Sequence, residues 1–203
     1  GWITDYVSKM PNPAKSLVVG VSGGIDSALT STLASMTGLR TIALSMPIST
    51  NPNNSSLSST HGKWLEDRFT NTTFMTIDLT STYLEFNSLL KDSNQDSDLG
   101  FANTKSRLRM VTLYQVAAAQ SGLVVGTGNK VEDFGVGFYT KYGDGGVDIS
   151  PIADLMKSEV VSMATTLGVD ERILNAPPTD GLWDDDRTDC LLYTSPSPRD
   201  QSG

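Results

Sequence analysis

The sequence is short of the residues that build cross-links and metal clusters. One cysteine, Cys190, and one histidine, His61, in 203 residues exclude an internal disulfide framework, a cysteine-rich zinc site and a His-metal cluster. A Ser-His-Asp arrangement is not indicated either. His61 falls in a helical stretch with Trp64, Leu65 and Phe69, and its register places it on the polar, solvated side. Apolar runs are short, and none approaches the roughly 20 residues of a membrane span. No N-terminal stretch combines basic, apolar and small-residue regions as a signal peptide does. Positive charge is scarce, with 15 Lys and Arg against 23 Asp and Glu and a net charge of -8. That balance argues against a nucleic-acid surface and leaves room only for a local basic pocket. With 38% hydrophobic residues, these absences describe one globular domain with a real core, without membrane or nucleic-acid partners, in a reducing cytoplasm.

What is present is concentrated in one stretch, Leu17-Val18-Val19-Gly20-Val21-Ser22-Gly23-Gly24-Ile25-Asp26-Ser27-Ala28-Leu29. A β-branched apolar run stops at a Ser-Gly-Gly turn, and a helical pattern follows at once. Ile25, Leu29, Leu33 and Met36 recur at helical spacing, and Gly38 stands where a C-terminal glycine is expected. The turn therefore joins the end of a buried strand to the start of a helix. Adjacent glycines let backbone N–H groups approach a ligand, and the helix adds unpaired donors and the positive end of its dipole. Ser22 and Ser27 offer hydroxyl donors, and Asp26 places a carboxylate where a phosphate-bound Mg²⁺ would sit. The stretch reads as a phosphate cradle. It has neither the Gly-Lys-Ser/Thr of a Walker loop nor the three spaced glycines of a dinucleotide fingerprint.

Around the cradle, strands and helices alternate. Trp2, Ile3, Tyr6 and Val7 lie on one face of a helix already running at Gly1, and Pro11-Asn12-Pro13 breaks it. Residues 41–46 read as a second strand ended by Pro47, 49–59 as a Ser/Asn-rich loop, and 72–78 as a third strand. A helical run through Tyr83, Phe86 and Leu90 precedes a polar loop over 91–98. A long helix over 101–120 follows, with Leu108, Val111 and Tyr114 inward and Lys105, Arg107 and Arg109 in its first half. Residues 122–126 form a fourth strand. This order implies an α/β fold, a doubly wound parallel sheet with helices on both faces. Ligands in such sheets bind beyond the carboxyl ends of the strands where the topology switches, so the cradle and the turn after Gly126 share a crevice.

That second turn reads Gly126-Thr127-Gly128-Asn129-Lys130-Val131-Glu132-Asp133. Alone it is a Gly/Asn loop with a solvated acid. Beside the cradle, Thr127 is placed to bond nucleotide, and Glu132 to complete a Mg²⁺ site with Asp26. The next segment, 138–148, carries three glycines in a conformationally free loop flanked by Lys141 and Asp148. It is either a glycine-rich hairpin or a substrate clamp in which Lys141 meets phosphate and Asp148 a ribose or amide. Residues 153–167 read as an amphipathic helix with Met156, Val160, Met163 and Leu167 inward, Lys157 and Glu159 on its wet face and Gly168 as its stop. Residues 175–183 are loop-like.

The cradle alone resembles the pyrophosphatase loop of enzymes that split ATP into AMP and pyrophosphate. Together with Gly126-Thr-Gly-Asn-Lys-Val-Glu132, Lys141-Tyr-Gly-Asp-Gly-Gly146 with Asp148, and Pro178-Thr-Asp-Gly-Leu-Trp183, the chain resembles the ammonia-dependent NAD synthetase family. The same domain occurs as the synthetase part of glutamine-dependent NAD synthetases. The resemblance implies an adenine-nucleotide α-hydrolase-like fold and a two-step amidation of deamido-NAD through an adenylate, releasing AMP and pyrophosphate. It implies that Gly20, Val21, Ser22, Gly23, Gly24, Ile25, Asp26 and Ser27 hold ATP phosphates, with Thr127, Lys157 and Thr179 also contacting ATP. It further implies that Asp26 and Glu132 hold Mg²⁺ and that Arg107, Lys141 and Asp148 hold deamido-NAD. Lys157 and Asp26 are the expected catalytic pair, Lys157 stabilising charge on the pentavalent phosphate. Ammonia, free or from a glutaminase, would be the second substrate, and the assembly a cytoplasmic homodimer with its deamido-NAD site at the subunit interface.

The sequence also departs from that pattern. Between Glu132 and Lys141 it is one residue longer than some family members. The resemblance stops near Asp189, whereas the family continues with an acidic segment, a helix and a late His-Lys pair. Residues 1–189 are therefore expected to form an NAD synthetase domain truncated at both ends, and the Ser/Pro-rich 190–203 a foreign or disordered tail. Three rival readings remain. The first is another pyrophosphatase-loop ligase, such as a GMP synthetase, which would not bring the Lys-Tyr-Gly-Asp-Gly-Gly loop, or a tRNA-thiolating enzyme, which should show paired cysteines and a basic face. The others are a non-catalytic adenine-nucleotide-binding module and an inert truncated product.

Overall fold

The structure, a computed structural model, describes residues 1–48, 56–137 and 139–176, with Ser56 and Val136 described in their backbone alone. Thr179, the 178–183 motif and the 190–203 tail lie outside the described residues.

Four short strands form one parallel sheet, its two central strands too apolar on both faces to border water and one edge strand, Thr72–Thr76, largely exposed. They are β1 (Ser16–Gly20), β2 (Arg40–Ser45), β3 (Thr72–Thr76) and β4 (Gly122–Val125), in the order β3-β2-β1-β4. The chain winds outward from β1 through β2 to β3, then returns to place β4 on the other side of β1. The topology therefore switches between β1 and β4, and the crevice above them is where such sheets bind ligands. In register, Val18 lies between Ile42 and Val124.

Alternate strand residues point to opposite faces, and each face has its own core. On one side Val18, Ile42, Leu44 and Val124 pack with Met110, Leu113 and Ala117 of α5 (Asp98–Ala119). On the other, Leu17, Val19 and Val125 meet Ile3 and Val7 of α1 (Trp2–Ser8) and Ala34 of α2 (Ile25–Ser35). Beside them, Val21 and Ala43 pack on Leu65 of α3 (Ser56–Arg68). α4 (Thr80–Asp92) fully buries none of its side chains. α6 (Lys157–Leu167) and α7 (Glu171–Leu174) cover the outer side of α2, joining Ala28 and Leu29 to Val160, Ala164 and Ile173. Among the described residues no helix is long and apolar enough to cross a membrane.

The structure corrects several expectations. His61 is not on a solvated face. It is 1% exposed, its Nε2 lies 3.1 Å from Ser31 Oγ, and its ring stacks on Trp64. The inward stripe of α5 runs through Phe101, Met110, Leu113 and Ala117, while Val111 and Tyr114 face outward and Leu108 only borders the core. α6 begins at Lys157 after a turn over 151–154, so Met156 is its exposed N-cap and Ile152 supplies the buried contact instead. α1 buries Ile3 and Val7 but leaves Trp2 and Tyr6 exposed, stacked on each other. β3 ends at Thr76, and the polar loop before α5 is shortened by α4 at one end and α5 at the other.

Candidate active site at the sheet's switch point

β1 ends at Gly20, and Val21 still donates its N–H to Leu44 O at 2.8 Å. The chain then turns at Gly23, whose φ of +94° is left-handed, and a Cβ there would press on Leu57 and Ser58 of α3 at 3.1 Å. Both constraints select glycine. Gly24 is the N-cap of α2 and carries no side-chain acceptor, so the first turn of the helix keeps donors for an anion. The serines act differently from the sequence reading. Ser27 Oγ donates to Gly24 O at 2.9 Å and accepts Ser22 N–H at 3.2 Å, while Ser22 Oγ accepts Gly24 N–H at 3.2 Å. The two hydroxyls hold the turn in shape, leaving the backbone amides of the helix start as its anion donors.

Asp26, in the first turn of α2, is met from two distant segments. Its Oδ1 accepts Asn129 Nδ2–H at 2.9 Å, and its Oδ2 accepts Lys157 Nζ–H at 2.5 Å. The same ammonium reaches Glu132 Oε1 at 3.2 Å. Glu132 stands on a π-helical segment, Val131–Val136, that follows β4 where the sequence suggested a simple loop. Lys157 opens α6. Thus α2, the segment after β4 and α6 each deliver one charged group to the switch point. Burial alone would lower the Lys157 ammonium, but the carboxylates of Asp26 and Glu132 outweigh it and hold its pKa above the usual lysine value. Next to Glu132, burial and then the charges of Glu132, Asp144 and Asp26 push the Asp133 carboxyl up to about 6. Thr127, half-buried, follows β4 on the same side, and a Cβ on Gly128 would overlap the Asp133 carboxylate.

The donors suit a small hard cation. Two carboxylates that share one ammonium can share one divalent ion, whose remaining positions Mg²⁺ commonly fills with phosphate oxygens and water. Among the described residues no group of three or more His, Cys, Asp or Glu is arranged to hold a metal unaided. As two carboxylates, Asp26 and Glu132 fit a cation whose other positions are filled by phosphate oxygens and water.

A second group forms at the edge of α5. The glycine-rich segment is a run of turns laid on this helix instead of a hairpin. Ser106 Oγ donates to Asp144 Oδ1 at 2.7 Å, Thr140 Oγ1 donates to Asn103 Oδ1 at 2.8 Å, and Arg107 Nε–H donates to Lys141 O at 3.1 Å. Arg107 and Lys141 are thereby brought together, with the Lys141 ammonium 5.1 Å above the Tyr142 ring. Asp148 does not stand free: its Oδ2 accepts Val124 N–H at 2.8 Å and its Oδ1 accepts Tyr114 O–H at 3.1 Å. Burial, then the Asp148 charge, pushes the Tyr114 hydroxyl up to about 12. A groove of about 670 Å³ runs between α5 and these turns, lined among others by Met110, Tyr114, Gln115, Tyr142 and Val147. None of the cradle residues lines it.

Residues 1–192 match the family model described as NAD synthase. The chain belongs to the NAD synthase family. Among curated relatives of this family member, the NH(3)-dependent NAD(+) synthetase of Mesoplasma florum is 40% identical over 183 residues, covering 88% of this chain and 72% of the relative. That of Carboxydothermus hydrogenoformans is 38% identical over 84% of this chain and 69% of its own length. Among solved structures, the NMN synthetase of Francisella tularensis superposes with a TM-score of 0.83 at 33% identity, covering 96% of this chain and 78% of that one. The NH3-dependent NAD synthetase of Campylobacter jejuni does so at 0.74 and 32%, covering 85% and 72%. The fold is accordingly the α/β, adenine-nucleotide α-hydrolase-like one expected of the family.

Proposed function

We propose that the chain is a ligase that amidates deamido-NAD with ammonia, using ATP. A nicotinate carboxylate oxygen attacks the α-phosphorus of ATP, forming an adenylate as the bond to pyrophosphate breaks. Ammonia then adds to the acyl carbon, loses a proton, and AMP departs to leave NAD. The observation that carries this reading is the convergence of Asp26, Glu132 and Lys157 beside the glycine turn, in a member of the NAD synthase family.

In this reading the backbone from Gly20 to Ser27 receives the ATP phosphates at the start of α2, and Thr127, Lys157 and Thr179 contact the nucleotide. Asp26 and Glu132 hold Mg²⁺, which when bound neutralises phosphate charge. Lys157 stabilises the charge that develops on the α-phosphate, since a preorganised cation in a partly dry crevice acts more strongly than one in water. Arg107 and Lys141 hold the phosphates of deamido-NAD. Asp148, already bonded to β4 and Tyr114, fixes the floor of that site and offers its exposed edge to a ribose or amide. Ammonia, free or from a glutaminase, a homodimeric assembly and a cytoplasmic setting belong to the same reading, supported by the resemblance.

The likeness to an NMN synthetase favours one second reading, in which the acid that is adenylated and then amidated is the mononucleotide. Both use the same ATP chemistry and differ in whether the acid carries an adenylyl half. The test incubates the protein with Mg²⁺, ATP and ammonium, offering deamido-NAD or nicotinate mononucleotide, and measures amide product, AMP and pyrophosphate. Release of all three in equal amounts with deamido-NAD is expected. Turnover of the mononucleotide alone would favour the second reading, and ATP binding without AMP release would reject both.

A further inference from the structure

Asn129 is 0% exposed and uses its side chain in both directions. Its Oδ1 accepts the N–H groups of Val131 at 3.0 Å and Glu132 at 3.1 Å, at the start of the π-helical segment. Its Nδ2 donates to Asp26 Oδ1, across 103 positions of sequence, at 2.9 Å. One buried amide therefore connects the turn after β4 to the first turn of α2.

We infer that Asn129 is a positioning residue that sets Asp26 and Glu132 in register with each other for a shared divalent cation. This rests on the proposal that these two carboxylates hold Mg²⁺. The argument is one of degrees of freedom. A carboxylate has two equivalent oxygens, and by occupying Oδ1 the amide turns Oδ2 toward the Lys157 ammonium and Glu132. Holding the Glu132 N–H with the same side chain fixes the backbone that presents the second carboxylate. Asparagine is suited to this because it alone offers an acceptor and a donor on one short, uncharged plane. An aspartate there would face Asp26 with like charge. A serine would still accept from the two N–H groups, as helix-capping serines do, but is too short to reach Asp26.

Asn129→Ser separates these roles. Mn²⁺ is the probe, its binding read from loss of the free-ion paramagnetic resonance signal in the presence of α,β-methylene ATP, which cannot release pyrophosphate. Asn129→Ser should keep the thermal midpoint close to that of the parent chain and weaken Mn²⁺ binding by about tenfold or more, as loss of a group supporting a metal ligand does. Asp26→Asn, measured alongside, tests the metal reading itself. If Asp26→Asn leaves Mn²⁺ binding intact, that reading falls and this inference with it. If Asp26→Asn weakens binding but Asn129→Ser does not, Asn129 is a helix cap only and the inference alone is overturned. A measurement on the parent chain covers the case of a variant that fails to fold. The Asn129 side-chain amide resonances should shift on Mg²⁺ titration in step with occupancy, and an unmoved pair of resonances would overturn the inference.

Discussion

Lys157 Nζ lies 2.5 Å from Asp26 Oδ2, a contact made across 131 positions of sequence, and the same ammonium reaches Glu132. A cation of the protein's own thus stands between two carboxylates proposed to hold a metal. Substrate and metal binding must redistribute that charge.

Lys157→Met should have opposite effects on two measurements. With the ammonium gone, two carboxylates face each other unneutralised, and Mn²⁺ binding without nucleotide should tighten. Adenylate formation, followed as pyrophosphate release in single turnover, should slow by about a hundredfold or more, the usual cost of removing a preorganised charge. Circular dichroism should show the fold intact, because Lys157 is partly exposed and its packing contribution is small. Turnover at the parent rate would reject the role given to Lys157.

Gly23→Ala should damage the cradle through the backbone. The left-handed φ and the close approach of Leu57 and Ser58 both oppose a Cβ. A loss of about 1–2 kcal/mol in urea unfolding is expected from the conformation alone, with weakened ATP binding by calorimetry.

Tyr114→Phe removes one donor from Asp148 and leaves the other, from Val124 N–H, in place. Deamido-NAD should bind about fivefold more weakly, the worth of roughly 1 kcal/mol for one hydrogen bond, while KM for ATP stays unchanged. An effect on ATP alone would contradict the division between the two groups of residues.

His61 gives the fold a pH dependence of definite sign. Burial, set against a hydrogen bond near Ala28 and the Asp170 charge, lowers its pKa from 6.5 to about 4. The unfolded chain therefore takes up a proton between these values that the folded chain refuses. The associated stability is present above pH 6.5, declines as pH falls toward 4, and changes no further below it. Between pH 7 and pH 5 the parent chain should lose about 2 kcal/mol that His61→Gln, which cannot titrate, does not. Parallel losses in urea melts of the two proteins would show that His61 contributes nothing.

His61 also marks the limit of reading the chain without its fold. Its helix position suggested a wet face, but burial was decided by Ser31 of α2, 30 positions away, and by the stacked Trp64. The cradle was legible because its signals are local: an apolar run, two glycines and a helical period in direct succession. The parallel sheet, with the turns after β1 and β4 sharing one crevice, was legible because strands alternating with helices leave few choices. The inward stripe of α5 was misplaced because Leu108 and Val111 compete with Met110 and Leu113 on neighbouring helical faces, and only the sheet decides between them. Asn129 read only as part of a Gly/Asn loop, because the helical segment whose first N–H groups it caps gives no apolar period of its own. Its second bond, to Asp26, appears only when β4 lies beside β1.

The most direct test of the central claim is exchange of radiolabelled pyrophosphate into ATP, measured with Mg²⁺ but without ammonia. If deamido-NAD attacks the α-phosphorus beside Asp26, Glu132 and Lys157, label should enter ATP only when deamido-NAD is present, and Lys157→Met should suppress it. Exchange that ignores deamido-NAD, or its absence in a chain that still makes NAD, would contradict the account.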